Sequence, residues 1–131
     1  MSVERVISPK INEPKGKFSN AMRVGNLLFI SGQTGRNPDG TIGCKGDVKG
    51  QARLALSRIK ALCEAAGASM RDIARFGIFV CNINDGDKVY EVFDEFFDGP
   101  PYPTDTLLGN VRLAHPDLIV EIEAIVAVPE R

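Results

Sequence analysis

The sequence of 131 residues has no tryptophan, one histidine and three cysteines, and each shortage removes a class of chemistry. With His115 alone, neither a histidine-based catalytic triad nor a multi-histidine metal site is available. The cysteines Cys44, Cys63 and Cys81 are an odd number without CxxC spacing, which predicts neither a disulfide framework nor a zinc site. We therefore expect free thiols in a reducing cytoplasm, no metal and no cofactor.

Excess charge and long apolar runs are also lacking. A net charge of −1 gives no electrostatic reason to expect nucleic acid or an anionic membrane as a partner. No segment approaches the roughly 20 apolar residues of a membrane span. The first ten residues, MSVERVISPK, have charges on both sides of a short apolar stretch, which is not typical of a signal peptide. We expect one cytoplasmic domain, residues 1–131.

Hydrophobic periodicity predicts the element order ββ(β)αβαββ. Asp47 is the expected N-cap of a first helix that Gly67 ends, and a second amphipathic helix begins near Asp85. The predicted strands are Val3–Ile7, Phe18–Arg23, Leu27–Gly32, Ala74–Cys81, Thr104–Val111 and Leu118–Val128. The basic residues Lys49, Arg53, Arg58 and Lys60 oppose the apolar stripe of the first helix. This order predicts an α+β fold, a two-layer sandwich of a mixed sheet with both helices on one face.

The last strand, Leu118–Val128, has two unlike faces. One face is apolar throughout, while the other places Glu121 and Glu123 among aliphatic side chains. A solvated face needs few aliphatic residues, and a buried face does not tolerate two unpaired charges. We expect another subunit to cover this face, with the glutamates in a cleft at the contact. A two-layer sandwich also leaves one sheet face uncovered, which independently predicts a homo-oligomer.

Several segments, in consistent order over nearly the whole chain, resemble the RidA/YjgF family. They are Ile30-Ser31-Gly32-Gln33, the helix Gln51–Gly67, Phe79-Val80, Phe96-Phe97 and the closing Pro103…Arg112-Leu113…Val120-Glu121-Ile122-Glu123-Ala124. The resemblance implies a chorismate-mutase-like fold and a homotrimer with a central barrel. It also implies a small-molecule substrate in the clefts between subunits, and hydrolysis of 2-imino or 2-enamino acids to 2-keto acids and ammonia.

The resemblance also implies roles for individual residues. Glu121 matches the family glutamate that orients or activates the attacking water, and Glu123 matches the second glutamate of the signature. Ser31 and Gly32 match a Ser-Gly turn that helps to place the substrate. Phe18 stands where a tyrosine often closes the pocket, and Leu107 stands where a cysteine is usual.

Asp105 departs from the family pattern, because active deaminases have an arginine there that binds the substrate carboxylate. Strand alternation places Asp105, Leu107 and Gly109 on one face, so we expect the aspartate to point where the arginine would. A substrate carboxylate facing Asp105 and Glu121 would meet like charge. Ordinary 2-imino-acid hydrolysis is therefore disfavoured unless a nearby arginine, such as Arg23, Arg36 or Arg112, enters the cleft.

Structural roles compete with these functional ones. Glu121 could accept backbone N–H groups of an adjoining subunit, Glu123 could pair with a lysine or arginine across the trimer, and Asp105 could be an exposed strand residue capped by Thr104 or Thr106. Ser31 could be an ordinary turn residue that follows an apolar strand. Clustered carboxylates could also bind a hard cation, although the chain has no ligand-dense loop for one.

Three functions remain open. The first is an imine or enamine deaminase that acts on a non-standard substrate, including a pathway-specific one such as an aminomuconate-like ring-cleavage product. The second is a non-catalytic trimer that binds a metabolite or a protein in the same clefts. The third, endoribonuclease activity, is disfavoured by the net negative charge, by the lack of a basic patch and by the lack of a catalytic histidine.

Overall fold

Six β-strands form one mixed sheet in the computed structural model, which describes residues 2–130. The elements are β1 (Val3–Val6), β2 (Ala21–Val24), β3 (Leu27–Thr34), α1 (Val48–Ala65), β4 (Ile73–Val80), α2 (Gly86–Phe93), β5 (Thr104–Leu108) and β6 (Val120–Ala127). The strand order is β1-β2-β3-β6-β4-β5, with β4 and β5 parallel and the other neighbours antiparallel. The prediction of an α+β fold with a mixed sheet and two helices is confirmed.

Local signals placed the first helix well. Asp47 is the N-cap of α1, and its carboxylate accepts a hydrogen bond from the Gly50 N–H at 2.9 Å. The helix ends at Ala65, and Gly67 follows with a φ of +82°, a left-handed conformation that favours glycine. Asp47 and Gly67 therefore bound the helix as the sequence predicts.

Strand ends differ more from the prediction. β2 begins at Ala21 rather than Phe18, and β6 covers Val120–Ala127 within the longer predicted segment. β5 ends at Leu108, so Gly109 lies outside it; Asn110 follows with a φ of +58°, which is incompatible with extended backbone. β3 continues to Thr34, beyond the predicted end at Gly32.

The core lies between the helices and one face of the sheet. The apolar residues of β6 are buried there as predicted, with Val120, Ile122 and Val126 fully inaccessible. Phe76 of β4 lies with its ring centroid 5.4 Å from that of Phe93 in α2. The prediction for Arg58 is wrong: it is only 5% exposed, because its side chain turns between α1 and the sheet instead of into solvent.

The other sheet face carries large apolar side chains in contact with solvent. Leu27 and Phe29 of β3 are 43% and 42% exposed, and Leu108 at the sheet edge is 50% exposed. Glu121, Glu123 and Ile125 of β6 are half-buried on the same face. Hereafter we call this surface the open face. Within residues 2–130, no helix combines the length and the apolar composition needed to cross a bilayer.

Candidate active site

Ser31 and Gly32 lie in a β-bulge of β3 and not in a turn as the sequence suggested. The pairing of β3 with β6 shifts register between Ile30 and Gln33, so the two residues fall between paired positions. The Ser31 N–H donates to the Asn20 carbonyl at 2.9 Å, and the Ser31 hydroxyl donates to the Ser19 carbonyl at 2.6 Å. The serine thereby holds the segment that enters β2 and shapes the backbone of the bulge.

The bulge brings Gly32 against the carboxyl group of Glu121. A Cβ atom at Gly32 would lie 2.6 Å from both Cδ and Oε2 of Glu121, closer than real side chains approach. Glu121 can therefore lean across β3 only because residue 32 has no side chain. No hydrogen bond or ion pair joins its carboxyl group to another residue within 2–130, which leaves the group free to meet water or a ligand.

Glu123 leans the other way, across β4. A Cβ atom at Gly77 would lie 2.8 Å from Cγ and Oε2 of Glu123, and Arg75 Nη1 lies 3.2 Å from the same oxygen. The sequence left open an ion pair across the trimer, but the partner of Glu123 is an arginine of its own chain. The two glutamates of β6 thus share the open face and point to opposite neighbours.

A cavity of about 500 Å³ opens where β3 continues past the start of β2. Its size is in the range of small-molecule sites. Three of the predicted site residues, Phe18, Gly32 and Glu121, line it together. The sequence suggested three arginines that could replace the missing carboxylate-binding arginine. Arg36 lines the cavity, whereas Arg23 does not and donates from Nε to the Gly25 carbonyl at 2.9 Å. Arg112 is not part of the cavity wall within one protomer.

Asp105 and Leu107 lie elsewhere in the protomer. In the parallel ladder they pair with Phe76 and Ile78, whose side chains are in the core, so both face the helix side of the sheet. Asp105 is exposed, and it accepts a hydrogen bond from the Tyr90 hydroxyl at 3.0 Å. Its partner is therefore a tyrosine of α2 and neither of the neighbouring threonines.

Glu121 and Asp105 lie on opposite faces of the sheet within one protomer. The expectation that both face one cleft is therefore not met by a single chain, and it requires Asp105 from a neighbouring subunit.

Burial raises the pKa of Tyr90 to about 12, with the hydrogen bond to Asp105 as a second cause. This tyrosine therefore stays protonated as a donor to Asp105.

Arg58 is the residue of the cavity that sequence reasoning missed. Its Nε donates to Gln33 Oε1 at 2.9 Å and its Nη2 donates to Asn12 Oδ1 at 2.8 Å. Gln33 in turn donates to Asn20 Oδ1 at 3.2 Å, so a polar network crosses from α1 to the segment before β2. Helical spacing could have found it, because position 58 is three residues after Ala55 and four before Leu62, both buried.

Two pKa shifts distinguish the charged groups of the cavity. Burial raises the pKa of the Glu121 carboxyl, and the nearby Glu123 charge raises it further. Burial lowers the pKa of the Arg58 guanidinium, and the neighbouring Arg36 lowers it further. The cavity therefore joins a carboxyl group that is easier to protonate than usual with a buried cation.

The three cysteines differ in burial: Cys44 is exposed, Cys81 is half-buried and Cys63 is buried. The structure has Cys44, Cys63 and Cys81 as free thiols, as the sequence predicts. Burial raises the pKa of Cys63 to about 12, so this thiol stays protonated. Within residues 2–130, no three His, Cys, Asp or Glu side chains are grouped as ligands of a metal ion.

The chain matches known proteins over the whole segment that forms the cavity. A family model described as Endoribonuclease L-PSP matches residues 10–128, a range that includes every residue lining the cavity. The chain is 37% identical over 129 residues to a protein of Dermatophagoides farinae named 2-iminobutanoate/2-iminopropanoate deaminase, covering 98% of this chain and 99% of that protein.

Solved structures have the same fold. The structure of Escherichia coli TdcF with bound serine has a TM-score of 0.86 at 33% identity, covering 96% of this chain and 99% of that chain. The structure of RidA from an Antarctic Psychrobacter has a TM-score of 0.85 at 33% identity, covering 95% and 99%.

Proposed function

Because the chain belongs to the RidA/YjgF family, we propose that it hydrolyses an imine or enamine with release of ammonia. The observation that carries the proposal is the position of Glu121. Its carboxyl group is half-buried in the cavity wall, lies over Gly32, and has a pKa raised by burial. A carboxyl group of this kind suits general acid-base chemistry near neutral pH.

Glu121 supplies the proton transfers of the reaction. Its carboxylate takes a proton from water as the water oxygen bonds to the C=N carbon. The protonated carboxyl group returns that proton to the nitrogen, which gives a carbinolamine. The Glu121 carboxylate then takes the proton of the new hydroxyl group and passes it to the amino nitrogen. The carbon-nitrogen bond breaks as the C=O bond forms, and a carbonyl compound and ammonia leave. The name of the mite relative, an imine deaminase, supports this reaction class.

We further propose that the substrate differs from that of the ordinary deaminases. Asp105 stands in place of the carboxylate-binding arginine, and an aspartate repels a carboxylate. In an assembly, Asp105 would face a cationic or hydrogen-bond-donating part of a substrate from the neighbouring subunit. Ser31, Gly32, Leu107, Phe18 and Glu123 remain the proposed substrate-binding residues beside it.

The assembly is proposed to be a homotrimer with the open faces turned inward. Leu27, Phe29 and Leu108 expose about half of their surface there, which a second copy would cover. Native mass spectrometry should then give three times the 14.2 kDa of one chain. A monomer at micromolar concentration would contradict the proposal. The free thiols support a cytoplasmic location, which we also propose.

Ammonia release from neutral, cationic and anionic imines tests the function. We expect one class to be hydrolysed above the buffer rate, and Glu121→Gln to lower kcat by about 10²- to 10⁴-fold, as removal of a general base does. If neither protein exceeds the buffer rate with any imine, the enzymatic proposal is wrong.

A trimer that binds ligand without turnover is the second candidate, and the loss of the arginine at position 105 favours it. That candidate predicts a rise in melting temperature with ligand and no ammonia.

A further inference from the structure

Arg58 is a buried cation whose hydrogen-bond acceptors, within residues 2–130, are neutral oxygens. Its side chain is 5% exposed. Its three nitrogens donate at 2.8 or 2.9 Å to the Gln33 and Asn12 side chains and to the Asn37 carbonyl. A buried charge without an opposite charge costs free energy, and neutral side chains of similar volume are often as stable or more so. Stability alone therefore does not explain an arginine at this position.

The arginine fixes the orientation of the Gln33 amide. A guanidinium has donors only, so the amide oxygen must face Arg58 and the amide nitrogen must face away from it. The Gln33 nitrogen donates to the Ser31 carbonyl and to Asn20 Oδ1, both at 3.2 Å. A neutral polar group at position 58 could donate or accept, and it would not force this choice.

The Ser31 carbonyl belongs to the β-bulge of β3. There, Ser31 and Gly32 together oppose a single residue of β6. Backbone groups that a bulge removes from the strand ladder need other partners. The Ser31 N–H donates to the Asn20 carbonyl, and the Ser31 carbonyl accepts from the Gln33 amide. The side chain that Arg58 orients therefore helps to hold the backbone of the bulge.

The bulge in turn limits where Glu121 can lie. The Glu121 side chain passes so close to Gly32 that a Cβ atom there would lie 2.6 Å from its carboxyl group. A change in the backbone at Gly32 therefore moves the carboxyl group or lets water reach it. Arg58, buried between α1 and the sheet, is linked to Glu121 through Gln33 and the bulge.

We propose that Arg58 is a positioning residue for Glu121, acting through the Gln33 amide on the bulge of β3. The inference rests on the proposed function and deepens it, because it gives the proposed acid-base group a determinant in α1. Loss of Arg58 frees the Gln33 amide to turn. Water then takes its place at the Ser31 carbonyl, and the packing of Gly32 against Glu121 loosens. Arg58 itself takes no part in proton transfer.

NMR titration of the Glu121 carboxyl carbon, in protein with isotope-labelled glutamate, tests the positioning without a substrate. Glu121→Gln assigns the signal. The wild-type pKa of Glu121 should lie above the ordinary value of 4.5. In Arg58→Gln it should fall toward 4.5, because burial raises this pKa and water now reaches the group. Arg58→Lys, which keeps a donor-only cation, should lie between the two. Glu123, whose charge also raises this pKa, and its partner Arg75 are the same in every variant.

Arg53→Gln is the matched control. Arg53 also lies in α1, but its guanidinium is exposed and donates to Glu95 at 2.6 and 2.7 Å. Its loss removes hydrogen bonds between α1 and another segment without touching the bulge, so the pKa of Glu121 should equal that of the wild type. An equal fall in Arg53→Gln and Arg58→Gln would overturn the positioning role. A wild-type pKa in folded Arg58→Gln, or a pKa in Arg58→Lys no higher than in Arg58→Gln, would also overturn it.

Gln33→Met provides a second test, which serves if Arg58→Gln does not fold. Methionine has nearly the shape of glutamine and no amide, so the Ser31 carbonyl loses the same donor while Arg58 remains. The pKa of Glu121 should again fall toward 4.5. An unchanged pKa in folded Gln33→Met would show that the bulge does not depend on this amide, which would refute the proposal.

Ammonia release separates the positioning from the proposed function. Arg58→Gln should lower kcat/KM about tenfold or more, since a misplacement of about 1 Å costs about 10²-fold. Arg53→Gln should keep the wild-type rate. Full ammonia release by Glu121→Gln would refute the proposed function, and the NMR titration would still decide the positioning. If Glu121→Gln is inactive and folded Arg58→Gln is as fast as the wild type, the positioning role is wrong.

Discussion

Gly32→Ala is the sharpest test of how the fold positions Glu121. The new Cβ would lie 2.6 Å from the Glu121 carboxyl carbon, and ordinary contact begins at 3.4 Å, so the carboxyl group must move by about 0.8 Å. The φ of Gly32 is outside the left-handed region, so alanine adds no backbone strain. The substitution therefore displaces the proposed catalytic group without adding strain to the backbone.

The magnitude follows from this displacement. A misplacement of about 1 Å in a catalytic constellation costs about 10²-fold in rate. We expect kcat/KM for ammonia release to fall by about this factor in Gly32→Ala. Cγ of Glu121 would lie 2.7 Å from the new Cβ, so the whole side chain must turn away and not its carboxyl end alone. We therefore expect the free energy of unfolding to fall by about 1 kcal/mol, the low end of the usual cost of overpacking.

Gly77→Ala is the matched control. Its Cβ would lie 2.8 Å from Glu123, so it crowds the second glutamate of the same strand in the same way. Because Glu123 is a proposed substrate-binding residue and not the proposed proton-transfer group, we expect kcat/KM to fall less than about tenfold. Steady-state ammonia release and thermal melts of both variants provide the assay. Equal activity of Gly32→Ala and the wild type would refute the argument that Gly32 positions Glu121.

Three further predictions concern stability and assembly. In Glu121→Gln, the melting temperature should rise near neutral pH, because the raised pKa of Glu121 means that the folded state disfavours the ionised carboxyl group. In the wild type, the free energy of unfolding falls as pH rises from the ordinary pKa of 4.5 through the folded pKa. The gain in melting temperature should therefore vanish in melts below pH 4.5. Phe76→Ala should lower the free energy of unfolding by about 3–5 kcal/mol in urea titrations, since a fully buried ring is lost; a loss below about 1 kcal/mol would contradict its core position. Phe29→Glu should shift the assembly to monomers in native mass spectrometry, and an intact trimer would exclude the open face as its interface.

The helices and the last strand were predictable because their signals are local. Alternation along β6 separates a buried face from a mixed one within a single segment. The Asp47 carboxylate caps the backbone N–H of Gly50, only three residues along the chain, so a short stretch of sequence is enough to predict it. The family signature picked out Glu121 from the sequence, and the comparisons confirm the family.

The bulge, the orientation of Asp105 and the burial of Arg58 could not be predicted in this way. Each depends on which strand pairs with which, and in what register. Asp105 faces the helices because β5 pairs with β4 in parallel at a register that matches it with Phe76. Alternation alone shows that Asp105 and Leu107 share a face, and it leaves open which face that is.

The sequence by itself determined the fold class, the family and the alternation that presents two glutamates among aliphatic residues. Only the tertiary structure decided that the glutamates diverge, because Gly32 and Gly77 on different neighbouring strands make room for them. It also decided that Arg58 is buried between α1 and the sheet, since its acceptors, Gln33 and Asn12, come from distant parts of the chain. Hydrogen bonds and close contacts between segments far apart in sequence build this cavity, and no local pattern encodes them.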